Sequence, residues 1–151
     1  VVLPYHGGIR EDSAYIALKC VENYIRKRKK QKVVIKLYID GGTRGSRICL
    51  VDRDDDFTIV KTRGAGLTNN ELEYLALEYA LRYVENRYSK KDVTIHSDSK
   101  LVVNQINGDW RVTTETLRPL YLKCMKRMNS KIKLKWVRRD FNFAGHVLEK
   151  P

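Results

Sequence analysis

Apolar residues recur at helical spacing over residues 11–30, where Ala14, Leu18, Val21 and Ile25 share one face. Ser13 is placed to cap that helix, and the stretch ends in the basic run Arg26-Lys27-Arg28-Lys29-Lys30. The period then changes to two: Val33, Ile35, Leu37 and Ile39 alternate with Val34, Lys36 and Tyr38, which predicts a strand over residues 33–40 ended by Gly41-Gly42. Residues 47–51 and 57–62 read as two further short strands joined by Asp52-Arg53-Asp54-Asp55-Asp56, a hairpin whose three adjacent aspartates, Asp54 to Asp56, are expected to be solvated turn residues rather than metal ligands.

Gly64-Ala65-Gly66 interrupts this pattern, and Thr68-Asn69-Asn70-Glu71 has the form of a capping box opening a helix. Its apolar stripe, Leu72, Leu75, Ala76, Tyr79, Ala80, Tyr83 and Val84, runs to about Arg87. Residues 92–97 form the next predicted strand, apolar at Val93 and Ile95. Helices are expected at 99–106 and 113–128, with Pro119 tolerable only in a first turn or at a kink. A half-exposed strand at 131–137 and a short helix at 142–149 complete the chain. A hairpin pair followed by strand–helix alternation is the pattern of an α/β fold with a five-stranded mixed sheet and flanking helices. The crossover rule makes the strands ending near Asp40 and Asp98 parallel, so their carboxyl ends coincide at the edge where open α/β sheets place their sites.

At 151 residues the length suits one core. No apolar run is long enough to span a bilayer, and the first residues lack the charged start and apolar centre of a secretory signal. Cys20, Cys49 and Cys124 are widely separated, which speaks against a disulfide framework or zinc knuckle and for a reduced, cytoplasmic setting. The net charge of +12 is uneven: +5 over residues 1–32, zero over 33–112 and +7 over 113–151. A neutral middle with basic ends suits a polyanionic partner, because Lys and Arg that neutralise phosphates release condensed counterions. Solubility alone is the competing explanation, and a membrane partner is not expected.

Asp40, Glu73 and Asp98 are acids at element ends rather than on exposed faces, Glu73 bordering the helix stripe beside Ala76 and Ala80. Carboxylates of this kind suit Mg²⁺ or Mn²⁺, and a pair of such ions about 4 Å apart activates water and stabilises a leaving oxygen in phosphodiester hydrolysis. By spacing alone, each acid serves equally well as a helix cap or strand end. His96 falls on the same strand face as Asp98 and reads as a satisfied histidine, in the core or supporting the site, rather than a metal ligand; His6 reads as a loop residue. Tyr74, Tyr79, Tyr83 and Tyr88 read as packing rather than base-stacking groups.

The motifs around these acids add a resemblance. Tyr38-Ile39-Asp40-Gly41-Gly42, Thr68-Asn69-Asn70-x-x-Glu73-Tyr74 and Ser97-Asp98-Ser99-x-Leu101-Val102 resemble, in order, the type 1 ribonuclease H family. Gln105-Ile106-Asn107-Gly108-Asp109-Trp110-Arg111-Val112 and Trp136-Val137-x-Arg139-Asp140-x-Asn142 resemble its compact archaeal and bacterial branch. The resemblance covers about residues 33–149, making 33–151 a ribonuclease H-like domain and 1–32 an N-terminal extension with a basic helix. It implies cleavage of the RNA strand of RNA–DNA hybrids by in-line attack, leaving a 3′-hydroxyl and a 5′-phosphate. Asp40, Glu73 and Asp98 match metal-binding acids for two divalent ions, Mg²⁺ or Mn²⁺. Gly41 and Gly42 through their main chain, and Asn70 through its side chain, match positions that read 2′-hydroxyls in the minor groove. Gln105 matches a groove contact, and Trp110 an aromatic beside the DNA strand, unless it is a core plug.

One position departs from the family pattern. Asn142-Phe143-Ala144-Gly145-His146 stands where the family reads Asn-x-x-Ala-Asp, so His146 occupies the place of a fourth acid. His146 is expected to weaken Mg²⁺ binding in favour of Mn²⁺, to shuttle a proton, or to have no role; Glu149, one turn on, is the less favoured substitute. The basic helix–loop of longer family members is absent, so residues 26–32, with Arg138 and Arg139, are expected to supply phosphate contacts. The alternative to a nuclease is a catalytically silent module that binds RNA–DNA hybrid or double-stranded RNA. The sequence leaves the oligomeric state open.

Overall fold

Why Pro4 is tolerated inside a helix is answered by its place. In the computed structural model the first helix, α1, is Val2–Lys30, so Pro4 stands in the first turn, where no backbone N–H is needed. The helix therefore starts well before the expected residue 11, and Ser13 is internal rather than a cap. The structure describes residues 2–30 and 33–150, and the side chains of 13–28 and 33–150. His6, expected in a loop, falls on α1, but its side chain and those of 29–32 in the basic stretch lie outside the described residues. Every side chain from 13 to 28 is exposed, the predicted apolar face of Leu18, Val21 and Ile25 included. The chain divides into two units, Val1–Val33 and Val34–Pro151.

The second unit carries the sheet. β1 (Val34–Gly42), β2 (Arg47–Asp52) and β3 (Phe57–Thr62) form an antiparallel meander, and β4 (Asp92–Ser97) and β5 (Ile132–Trp136) add to β1 in parallel, giving the order β3-β2-β1-β4-β5. The alternation read from sequence is realised: Ile35, Leu37 and Ile39 are buried, while Val33 is exposed outside the strand. β1 does not stop at Gly41 but pairs through Gly42 with Arg47.

α2 (Asn69–Arg87) opens with the predicted capping box, Glu71 N–H donating to Thr68 Oγ1 at 3.2 Å and Thr68 N–H to Glu71 Oε1 at 3.3 Å. Its buried face includes Tyr74, Leu77 and Leu81, wider than the predicted stripe, while Leu75, Tyr79 and Tyr83 are only partly buried. The cause is a second neighbour: α2 packs on α4 (Arg118–Arg127) as well as on the sheet, and Cys124 Sγ donates to Tyr74 O. α4 starts five residues later than the expected 113, because Pro119 is confined to a first turn. α3 (Lys100–Ile106) is capped by Ser99, whose Oγ accepts from Val102 N–H.

α5 (Phe143–Glu149) belongs to a separate, smaller cluster with Cys49 and Val51. Asn142 ties it down. Fully buried, its Nδ2 donates to Ile39 O at 3.0 Å and its Oδ1 accepts from Ala144 N–H at 3.2 Å. Arg47 Nη2 donates to Leu148 O at 2.8 Å and fixes the helix's far end.

The hairpin aspartates divide. Asp52 is fully buried, and the Tyr83 and Tyr88 hydroxyls and the N–H groups of Asp54 and Asp55 all donate to it. Asp54, Asp55 and Asp56 are exposed turn residues, as expected.

β1 and α2 approach closely at Gly41. A Cβ placed on Gly41 would lie 2.4 Å from Leu72 C and 2.7 Å from Glu73 N, so only glycine fits. Gly42 has 3.9 Å of room to its nearest neighbour, Leu148 Cδ1. Gly41→Ala is expected to cost about 1–3 kcal/mol of stability, the usual range for overpacking. Gly42→Ala is expected to cost about 0.5 kcal/mol or less. Urea denaturation of the two variants checks the contrast.

Candidate active site

Three elements bring the acids together. Asp40 lies near the end of β1, Asp98 directly follows β4, and the parallel register sets Ile39 beside Ser97, so both acids reach one sheet edge. Glu73 lies in the first turns of α2, brought against β1 by the absence of a side chain at Gly41. One carboxylate oxygen from each of Asp40, Glu73 and Asp98 lies within 4.8 Å of the others. Asp98 is braced on its own side: Trp136 Nε1–H donates to its carbonyl at 3.1 Å, and Ser99 N–H donates to Ser97 Oγ.

Burial and mutual repulsion shape the protonation of this cluster. Asp40 is pushed up to about 6, first by desolvation and then by Asp98, with a hydrogen bond from the Glu73 side chain, the Gly41 N–H and Arg139 pulling the other way. Glu73 is driven well above the usual carboxylate range by burial, then by Asp40 and Asp98. Glu73 Oε2 is buried without a hydrogen-bond partner. An all-oxygen donor set with an orphaned carboxylate oxygen fits a divalent cation such as Mg²⁺ or Mn²⁺, whose charge would favour the ionised forms.

A cleft of about 540 Å³ opens over the cluster. Its walls include Gly41, Gly42 and Asn70, all expected from the sequence, with Thr43, Arg44, Asn69, Ser99, Arg139, Gly145, Leu148 and Glu149. Asn69 Oδ1 accepts from Thr43 N–H at 3.2 Å, joining the β1–β2 turn to the start of α2. A depression of about 590 Å³ on α2, between Tyr79, Arg82, Tyr83, Asn86 and Arg87, has no acid in its lining and is not the candidate.

Three other expected residues are placed differently. Gln105 is buried, its Oε1 accepting from Tyr74 Oη at 2.5 Å and its Nε2 donating to Arg111 O at 3.2 Å; both polar ends are used within the protein, which corrects the groove-contact expectation. His146 is exposed and belongs neither to the acid cluster nor to the cleft lining, so the geometry does not bring it into the site. Trp110 is half exposed, which removes the core-plug alternative, but it lies outside the cleft lining. His96 is as expected: its Nδ1 contacts Leu37 O at 3.1 Å, its ring stacks on Tyr38, and burial lowers its pKa. Cys49, opposite Asp40 in register, and Cys124 are both pushed up to about 12 by burial and are poor nucleophiles. Among the described residues no helix is long and apolar enough to cross a membrane.

The cluster makes metal-free stability depend on pH. Asp40 holds its proton more tightly folded than unfolded, so its contribution is present below the unfolded value of about 3.9 and is lost as pH rises through about 6. Glu73 acts in the same direction. In chelator the protein is expected to lose melting temperature between about pH 4 and 6 relative to Asp40→Asn, and Mn²⁺ at pH 7 is expected to restore it. Scanning calorimetry of both forms checks this.

Comparison with known proteins follows the same lines. Residues 22–150 match the model of the family described as "Reverse transcriptase-like". RNase H1 from the halophilic archaeon Halobacterium salinarum is 26% identical, with a TM-score of 0.62, over 77% of this chain and 94% of that one. LC11-RNase H1, solved in complex with an RNA/DNA hybrid, is 26% identical with a TM-score of 0.67, over 76% of this chain and 92% of that one. A 44-residue stretch is 50% identical to the uncharacterized protein YpeP of Bacillus subtilis (strain 168), covering 28% of this chain and 20% of that protein's length.

Proposed function

Since the chain belongs to the reverse transcriptase-like family and is similar across its sheet and helices to type 1 ribonucleases H, we propose that it is a divalent-metal-dependent endonuclease. Its substrate in this reading is the RNA strand of an RNA–DNA hybrid, cut to a 3′-hydroxyl and a 5′-phosphate. The carrying observation is the cluster of Asp40, Glu73 and Asp98, within 4.8 Å of one another, in a cleft whose lining includes Gly41 and Gly42. That LC11-RNase H1 binds such a hybrid supports the choice of substrate.

Asp40, Glu73 and Asp98 would hold the metal, one or two ions of Mg²⁺ or Mn²⁺. When bound, such ions supply an activated water and neutralise charge on the leaving oxygen. The remaining work falls to the chain itself. Gly41 and Gly42 offer main-chain groups, and Asn70 an amide, to the 2′-hydroxyls that distinguish RNA from DNA. Arg44 and Arg139 line the cleft and carry positive charge toward the phosphates. Trp110 presents its exposed indole to the DNA strand. A reducing, cytoplasmic setting is part of the same reading.

A second reading, a silent module that binds hybrid or double-stranded RNA without cutting, is favoured by one observation: the residue at the fourth acid position, His146, is exposed and outside the cluster. Cleavage of end-labelled duplexes across a Mg²⁺ and Mn²⁺ titration separates the two. The nuclease reading predicts metal-dependent cutting of only the RNA strand of the hybrid, with all-DNA duplex intact and Asp98→Asn slower by roughly 10²-fold or more. Binding without cutting under either ion supports the silent module. A double-stranded RNA arm tests that substrate directly.

The basic end of α1 is proposed to grip phosphates. Arg26, Lys27 and Arg28 are exposed. Replacing all of them with Gln is expected to weaken hybrid binding and to flatten its log–log salt dependence by about 0.9 for each phosphate no longer neutralised, as for a B-form duplex. Fluorescence anisotropy at several salt concentrations measures it; an unchanged slope removes α1 from the interface.

A further inference from the structure

The metal reading leaves a carboxylate unaccounted for in the cleft. Position 146, where the family resemblance puts a fourth acid, carries an exposed histidine outside the cleft lining. One helical turn further along α5, Glu149 is in that lining, together with Asp40, Glu73 and Asp98. Its position is not accidental to a loose helix end. α5 is pinned at its start by Asn142 to Ile39 O, one residue before Asp40, and near its end by Arg47 to Leu148 O, one residue before Glu149.

α5 packs close against the acids at Gly145, and Glu149 follows one turn further along that helix. Gly145 faces them with no side chain: a Cβ there would lie 3.5 Å from Asp40 Oδ2 and 3.7 Å from Asp98 Oδ2. The carboxylate of Glu149 has an exposed counter-ion, Arg139, at 3.7 Å, with both side chains more than half exposed. Pairs of that kind are weak and exchange readily for a stronger cation. In the same cleft lining, Glu73 Oε2 is buried and has no hydrogen-bond partner, an independent sign that the site is short of a cation.

Resting on the metal-dependent reading above, we propose that Glu149 is the fourth carboxylate of this site. It would hold a second Mg²⁺ or Mn²⁺ ion about 4 Å from the first, in place of the acid missing at position 146. Glu149 lies outside the tight three-acid cluster. That is the place of a ligand serving only the outer ion, so its removal weakens one site and spares the other.

The test is Mn²⁺ binding to the full chain without nucleic acid, with free Mn²⁺ counted by electron paramagnetic resonance. The wild-type chain is expected to bind two ions, one more tightly than the other. Glu149→Gln is expected to keep the tight site and weaken the second at least tenfold. Arg139→Gln, which breaks the same ion pair without removing a carboxylate, and His146→Asn are each expected to retain both sites. An isotherm for Glu149→Gln that superimposes on wild type overturns the proposal, as does a single wild-type ion that Glu149→Gln retains. Loss of the second ion in Arg139→Gln or His146→Asn also overturns it. Asp40→Asn separates the levels. If it abolishes tight binding while Glu149→Gln changes nothing, only the assignment of Glu149 fails. If Asp40→Asn binds Mn²⁺ like wild type, the metal reading itself fails, and the proposal with it. Circular dichroism melts confirm that each variant remains folded.

Discussion

The contact between the backbone of Gly41 and the first turns of α2 sets the geometry of the site. With the Leu72–Glu73 backbone where any Cβ at position 41 would lie, α2 sits directly on the end of β1, and Glu73 crosses the sheet edge to Asp40. The parallel pairing of β1 with β4 brings Asp98 to the same edge, and the capping box at Thr68 and Glu71 fixes where α2 begins. Asn142 anchors α5 on the other side by bonding to Ile39 O, the residue before Asp40. Local chain chemistry at four places therefore converges on one cleft.

Convergence carries an electrostatic cost. Carboxylates buried together raise one another's proton affinity, and at Asp40 the opposition comes from a hydrogen bond with the Glu73 side chain, then from the Gly41 N–H and Arg139. Elsewhere the same fold satisfies a buried acid completely, since Asp52 accepts from two tyrosine hydroxyls and two backbone N–H groups. The contrast is informative. Asp52 is an architectural acid that closes the hairpin against α2, whereas Glu73 retains an orphaned oxygen, as a group does when its partner is a ligand rather than the protein.

Much of this was legible in the sequence where local chemistry decides. Period-two alternation marked β1 and β4, and the capping box located α2 to the residue, because strand burial and helix capping depend on near neighbours. Readings failed where a distant element intervened. The buried face of α2 is wider than its own stripe because α4 packs on it, with Cys124 against Tyr74, and Gln105 is drawn inside by Tyr74. The burial of Asp52 likewise depends on Tyr83 and Tyr88, far along the chain, and no local signal marks it. The motif pattern directed attention to His146, but the way α5 is pinned turns Glu149 toward the cleft instead.

The central claim is that these acids form one metal site at the edge of β1 and β4. Nuclear magnetic resonance of the ¹⁵N-labelled full chain, with substoichiometric Mn²⁺, tests it most directly, because bound Mn²⁺ broadens only the amides near it. The account predicts that the signals of Asp40, Gly41, Glu73, Asp98 and Ser99 broaden first, while those of Asp54, Asp55 and Asp56 stay sharp. Broadening centred on the hairpin aspartates, or spread evenly over the surface, would contradict it.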